Sequence, residues 1–265
     1  MALRILSYNI LAGEEGRLPQ LIRVIQHQRP DVVALLEARS RPHVEVLARA
    51  LKMELVCGEA NNGRDHVAWL SRLPIVRAKD HRVPIFAKTL LEIEIVADGV
   101  PLALFATHLK AGRDQKKEQR RVAEVQAILD ILQTRSSQPH LLVGDFNALH
   151  PQDQPDATVY LATEPAEQGD DLHDTQRRRA LLRLLSVGYV DCYRALHPAE
   201  AGYTYKLPTP GLRLDYIFAS PDLAQRLAAC DILTGGEAET ASDHYPIWAE
   251  FLSEIALYPP VKKAS

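Results

Sequence analysis

Four apolar segments of this chain finish in polar side chains on one face, and that pattern restricts the available folds more than any other feature. Residues two apart in a β-strand share a face. Ile5, Ser7 and Asn9 have one parity, as do Val33, Leu35 and Glu37, then Leu102, Leu104, Ala106 and His108, then Leu141, Val143, Asp145 and Asn147. Each segment reads as a strand that ends in an amide, a carboxylate or an imidazole. Such groups are costly to bury alone, so they are expected to cluster or to bind something. Two further polar groups open their segments: Asp215 in Leu214-Asp215-Tyr216-Ile217-Phe218, and Asp243-His244 in Ser242-Asp243-His244-Tyr245-Pro246-Ile247. In a purely parallel sheet, strand beginnings lie opposite strand ends, so gathering all these groups at one edge requires some antiparallel strands. Two mixed or antiparallel sheets packed face to face, with helices outside, fit the length.

Local signals agree. Leu3–Asn9, Asp31–Glu37, His66–Ser71, His140–Asn147, Leu214–Ala219 and His244–Leu252 read as strands. Thr89–Leu109 reads as a hairpin turned by Asp98-Gly99, because glycine tolerates the positive φ that tight hairpins need. Helical stripes run through Leu18, Leu21, Ile22 and Ile25, through Val44, Leu47, Ala48 and Leu51, and through Val122, Val125, Leu129 and Leu132; another helix is expected near Thr175–Val187. No linker separates two cores, so residues 1–257 are expected to form one layered α/β domain. Residues 151–171 read as a surface loop and 258–265 as a frayed tail.

Composition removes several classes. Of 265 residues, 46% are hydrophobic and 25% charged, an ordinary globular mix that argues against disorder. No segment approaches the roughly 20 apolar residues needed to span a bilayer, and Met1–Ser7 lacks the apolar core of a secretory signal. The net charge of −3 argues against nonspecific coating of nucleic acid. Cys57, Cys192 and Cys230 are scattered and odd in number, which fits neither a disulfide framework nor a zinc site; a cytoplasmic location is expected. Stable membrane association is not expected, and no protein partner is inferred.

Ser7-Tyr8-Asn9-Ile10, Leu36-Glu37, Leu70-Ser71-Arg72-Leu73-Pro74-Ile75, Thr107-His108-Leu109-Lys110, Gly144-Asp145-Phe146-Asn147, Arg213-Leu214-Asp215-Tyr216-Ile217 and Ser242-Asp243-His244-Tyr245-Pro246 follow one another across nearly the whole chain. In this order the set resembles the endonuclease/exonuclease/phosphatase superfamily, which includes DNase I and the exonuclease III type of AP endonucleases. The resemblance implies a four-layered α/β sandwich of the DNase I-like type and metal-dependent hydrolysis of a phosphate ester by in-line attack of water. It implies Glu37 as the main ligand of Mg²⁺ (or Mn²⁺), with Asn9 beside it and Asp243 as a ligand or close support. It also implies that His244 deprotonates the attacking water or steadies the phosphate, with Asp215 orienting its imidazole. Asp145 would orient or activate the water, while Asn147 and His108 would donate to the phosphate oxygens. Lys110 is a further candidate phosphate contact.

The implied substrate is a phosphate ester, with nucleic acid the leading expectation. A small phosphorylated metabolite or phospholipid head group is the alternative, and an inactive binding module of the same fold is the reading from another class. In AP endonucleases of this superfamily a tryptophan typically precedes Arg-Leu-Asp-Tyr; here Leu212 precedes Arg213, which argues against abasic DNA as the best substrate. Residues 110–121 carry Lys110, Arg113, Lys116, Lys117, Arg120 and Arg121 against Asp114 and Glu118, either as a solvated helix face or as a contact for a polyanion.

Overall fold

The computed structural model describes residues 2–12, 16–136, 138–159 and 178–252. Within them lie two six-stranded sheets. The first contains β1 (Ala2–Asn9), β2 (Val32–Leu36), β3 (Glu54–Gly58), β4 (Val67–Ser71), β11 (Leu227–Ile232) and β12 (Ile247–Leu252), in the spatial order β11-β12-β1-β2-β4-β3. The second contains β5 (Ile75–His81), β6 (Leu90–Ala97), β7 (Val100–His108), β8 (His140–Asp145), β9 (Val190–Asp191) and β10 (Asp215–Ala219), in the order β5-β6-β7-β8-β10-β9. One pair in each sheet, β1–β2 and β7–β8, is parallel, and the remaining neighbours are antiparallel. Both sheets are therefore mixed, as the placement of polar residues requires.

Ile5, Trp69, Ile93, Leu104, Val143 and Ile217 belong to the core between the sheets. On the outer face of the first sheet, α1 (Leu18–Gln28) and α2 (Arg41–Leu51) cover Leu6, Tyr8, Val33 and Leu35. On the outer face of the second, α3 (Gln115–Gln133) and α4 (Arg179–Ser186) cover Phe105, Leu142 and Phe218. The result is the expected four-layered α/β sandwich. Pro lies in the first turn of α1 and α2, where a missing N–H costs nothing, and Ser40 and Asp114 cap α2 and α3 by accepting from His43 N and Lys117 N. Asp98 (φ 51°) and Gly99 (φ 82°) are both left-handed, as the tight turn between β6 and β7 requires.

Three local expectations are corrected. The inward face of β2 is Val32, Ala34 and Leu36, whereas Val33 and Leu35 face the helices. This strand is buried on both sides, so hydrophobicity alone does not distinguish its faces. Glu37 lies one residue past the strand with φ 60°. The last strand begins at Ile247 rather than His244, after Pro246, which has no N–H for the ladder. The edge strands β3, β5 and β11 carry little periodic signal; β5, for example, presents Arg77, Lys79 and Asp80, charges that blunt an open edge. The described part of the expected 175–187 helix runs Arg179–Ser186. Residues 160–171 of the expected loop, and the 258–265 tail, lie outside the described residues.

Candidate active site

Three neighbouring strands of the second sheet bring a row of polar residues to one edge. His108 ends β7, Asp145 ends β8 and Asp215 begins β10; the registers place His108 beside Asp145 and Asp145 opposite Asp215. The close approach of β8 to β7 depends on Gly144 (φ 145°), since a Cβ there would lie 1.8 Å from the Thr107 carbonyl oxygen. From the first sheet, Asn9 ends β1 and pairs in register with Leu36, immediately before Glu37. The left-handed conformations of Glu37 and Asn147 (φ 60° and 48°) take both beyond their strands. Parity along the strands therefore does not place these two residues; the turns do.

The side chains converge. Asn9 Nδ2 donates to Asp145 Oδ2 at 3.1 Å and to Glu37 Oε1 at 3.3 Å. His108 Nε2 lies 3.3 Å from Asp145 Oδ2, and the Asn147 N–H donates to Asp145 Oδ1 at 2.9 Å. His244 Nδ1 bonds Asp215 Oδ2 at 2.7 Å, which leaves Nε2, 3.9 Å from Asp145 Oδ2, as the other ring nitrogen. Ser242 ties the two halves together: its hydroxyl donates to the Asn9 carbonyl at 2.6 Å and accepts from His244 N. Glu37, Asn147, His108, Asp145, Asp243 and His244 border a pocket of about 250 Å³. Asn9 and Asp215 lie behind this lining. Lys110 does not border it; its backbone N–H instead donates to Glu124 and its carbonyl accepts from Arg121.

Electrostatics follow from crowding without solvent. Burial raises the Asp145 pKa, and the nearby Asp215 charge raises it further. Burial opposes charge on His244, but Asp215, through charge and hydrogen bond, together with Asp145 and Asp243, outweighs it and favours the imidazolium. Burial, with Lys88 and His244 nearby, holds His108 neutral. Asp215 Oδ1 and Asp243 Oδ1 are buried without hydrogen-bond partners among the described residues. Asp145, Asp215 and His244 are close enough to hold a metal ion between them.

Several contributors escaped the sequence reading. Tyr205 lays its ring 4.6 Å from that of His244, and the Thr204 hydroxyl accepts from the N–H groups of Leu214 and Asp215. Buried Glu124 on α3 accepts from Ala87 N and Lys110 N, pinning two segments beside the pocket. Lys88 borders the pocket from the start of β6. None has a periodic signal, because three act from loops and Glu124 is a carboxylate on the buried face of α3, where apolar periodicity does not single it out. Much of the basic run serves structure: Arg121 pairs with Glu118 (2.7 Å) and Lys117 with Asp114 (2.6 Å), while Arg120 donates to the Ile85 carbonyl. Leu212 packs with Leu149, Leu214 and Tyr205 as an apolar wall of the pocket.

This chain belongs to the Endonuclease/Exonuclease/phosphatase family, whose model matches residues 6–244. It is 25% identical over 277 residues to exodeoxyribonuclease III of Haemophilus influenzae, an alignment spanning 94% of this chain and 100% of that one. Its fold is similar to an AP endonuclease from Archaeoglobus fulgidus (TM-score 0.77, 22% identity, 94% of this chain and 99% of that one). It is also similar to a 3'-5' exonuclease from Neisseria meningitidis (TM-score 0.74, 23% identity, 94% and 99%). A 3' phosphatase from Neisseria, bound to a product DNA hairpin, shares the fold as well (TM-score 0.72, 22% identity, 95% and 100%). Among the described residues no helix is long and apolar enough to cross a membrane.

Proposed function

We propose that this protein is a divalent-metal-dependent phosphodiesterase acting on nucleic acid, with both sheets contributing to one site in a single catalytic domain. The observation that carries this reading is the convergence of Asn9 and Glu37 from one sheet with His108, Asp145 and the Asp215–His244 pair from the other. The nucleic-acid substrate is supported by the relatives named exodeoxyribonuclease and by the DNA-bound phosphatase of the same fold.

The donor set fits a hard cation: it offers oxygens, one of them the unpartnered Asp243 Oδ1 at the pocket. Glu37 and Asp243 would hold Mg²⁺ or Mn²⁺, since Mg²⁺ takes one or two protein carboxylates and keeps its waters. Asn9, whose Nδ2 donates to Glu37 while its Oδ1 accepts from Leu11 N, would orient the Glu37 carboxylate. Bound there, the ion supplies charge neutralisation at the phosphate and the leaving oxygen. The remaining work falls to the chain. Asp215 fixes the His244 imidazole and favours its charged form, so that His244 steadies the scissile phosphate. Asp145, whose burial makes it a readier proton acceptor than an ordinary carboxylate, takes a proton from the attacking water. His108 and Asn147 stabilise charge as it builds on the phosphate oxygens.

The test is hydrolysis of end-labelled duplex DNA, abasic duplex, RNA and bis-p-nitrophenyl phosphate with Mg²⁺ or Mn²⁺, and again in EDTA. Cleavage of nucleic acid that stops in EDTA is expected. Because Leu212 replaces a pocket tryptophan, abasic duplex is not expected to be the best substrate. Full activity in EDTA, or preference for zinc, overturns the reading.

A further inference from the structure

Lys88 carries a buried ammonium that meets no carboxylate at ion-pair distance among the described residues, although Asp145, Asp65, Glu37 and Glu124 lie near enough to favour its charge. The residue is 6% exposed and yet borders the pocket. Its position is fixed on both sides: Ala87 N donates to Glu124, and Asn61 N donates to the Lys88 carbonyl at 3.0 Å. Among the described residues its ammonium makes one long hydrogen bond, 3.4 Å to the Leu109 carbonyl, and no ion pair. An ammonium has three donors, so most of its capacity is unspent. Chains seldom retain a buried charge without a close partner unless it is used.

What surrounds the ammonium indicates what would complete it. Asn147 Nδ2 donates to the same Leu109 carbonyl at 3.3 Å, so the lysine and the amide lie side by side. His108, with Nδ1 unpartnered among the described residues, borders the same pocket. Lys88 and Asn147 thus place two donors side by side, and His108 borders the same pocket next to Asp145. We propose that Lys88 is a phosphate-binding residue, its ammonium taking a non-bridging oxygen of the substrate's phosphate beside the Asn147 amide. This rests on the phosphoesterase reading and deepens it. The competing role is a counter-ion: Lys88 would offset the Asp145 and Glu37 charges and touch no substrate.

Inorganic phosphate is the probe. Its binding is followed by ³¹P NMR titration and, independently, by competitive inhibition of the Mg²⁺-supported hydrolysis. In Lys88→Met the dissociation constant should rise about tenfold or more, the scale of one charge-assisted hydrogen bond. Lys88→Arg, which keeps the charge, should recover part of the affinity. Should the methionine variant not fold, the wild-type chain with ¹⁵N-labelled lysine side chains gives the answer: the Lys88 Nζ resonance, identified by its loss in Lys88→Arg, should shift on adding phosphate. An unchanged phosphate affinity in folded Lys88→Met, with tighter divalent-ion binding, establishes the counter-ion role and overturns the proposal. So does a Lys88 resonance indifferent to phosphate. If the wild-type protein neither binds phosphate nor cleaves any ester, both readings fall; if it does both and Lys88→Met binds phosphate normally, the lysine assignment alone falls.

Discussion

Two buried clusters of charge flank the start of β10, and they are built on opposite plans. Arg213 donates from Nε and Nη2 to the two carboxylate oxygens of Asp153, each at 3.0 Å, and approaches Asp191 at 2.7 Å. Arg194 reaches Asp153 at 2.6 Å. Two arginines thus match two carboxylates at close range. Two residues along the chain, Asp215 belongs to the other cluster, where Asp145, Asp243 and Glu37 crowd around His244 and Lys88. Here carboxylates outnumber cations, and two buried carboxylate oxygens have no donor among the described residues. The first cluster pairs each carboxylate with an arginine at close range and ties the 150–153 segment to β10, although among the described residues Arg194 Nε makes no hydrogen bond and Arg213 Nη1 meets Asp191 Oδ2 as an ion pair at 2.7 Å outside hydrogen-bond geometry. The second is unbalanced in just the way that a cation and a phosphate would correct. Burial of charge therefore does not by itself mark a site; incomplete pairing does.

The largest expected effect breaks the balanced cluster. Asp153→Asn removes the charge that two buried arginines share, and should destabilise the fold by about 3–5 kcal/mol, read by urea unfolding. If stability falls by less than about 1 kcal/mol, the arginines find other partners and the contrast fails. Next come the losses of activity. His244→Ala should lose on the order of a hundredfold or more in turnover. Asp215→Asn should lose much of that, and the double variant should be scarcely worse than His244→Ala, because the pair acts as a unit. Additive losses would show that the two residues work separately.

A third cluster offers an intermediate test. Buried Glu92 on β6 is paired with His81 Nε2 at 2.7 Å and with Arg135. Burial alone would raise its pKa, but the hydrogen bonds from His81 and Arg135 outweigh this and hold it at about 2. A carboxylate lowered in the folded state adds stability that is fully present above its unfolded value near 4.5 and is lost as pH falls toward 2. Between those limits the wild type should lose about 2–3 kcal/mol through this group. Glu92→Gln should flatten that part of the stability–pH curve; an unchanged slope removes Glu92 from the balanced class.

What was legible in the chain follows the physics of each element. Strands with one face inward and a polar terminus, such as Leu102–His108 and Leu141–Asp145, announced both the mixed sheets and the edge where His108, Asp145 and Asp215 gather. The alternation of β2 was illegible because helices and sheet bury both its faces, so Glu37 was correctly gathered with the others through the wrong parity. Lys88, Glu124 and Tyr205 were invisible because their importance lies in what is near them across the fold. The basic run at 110–121 looked uniform, yet Arg121 and Lys117 are taken up by ion pairs with Glu118 and Asp114. Charge in sequence does not tell paired from unpaired.

The smallest effect is the most direct test, since it repeats the first substitution in the unbalanced cluster. Asp145→Asn removes a carboxylate held beside Asp215, where burial and that neighbour already penalise the charged form. A carboxyl raised in the folded state costs stability once it ionises, so deleting the charge returns that cost at neutral pH. Against this stands the hydrogen bond from Asn9 Nδ2 at 3.1 Å, which an amide nitrogen in place of Oδ2 would not accept. A single such bond is worth about 1 kcal/mol. The bond from Asn147 N to Oδ1 survives in the amide. The two changes nearly cancel, and stability in EDTA should stay within about 1 kcal/mol of the wild type. Hydrolysis should nevertheless fall steeply, because the proton acceptor is gone. A loss of stability as large as that from Asp153→Asn would mean that Asp145 is a structural partner like Asp153, and that the two clusters are of one kind.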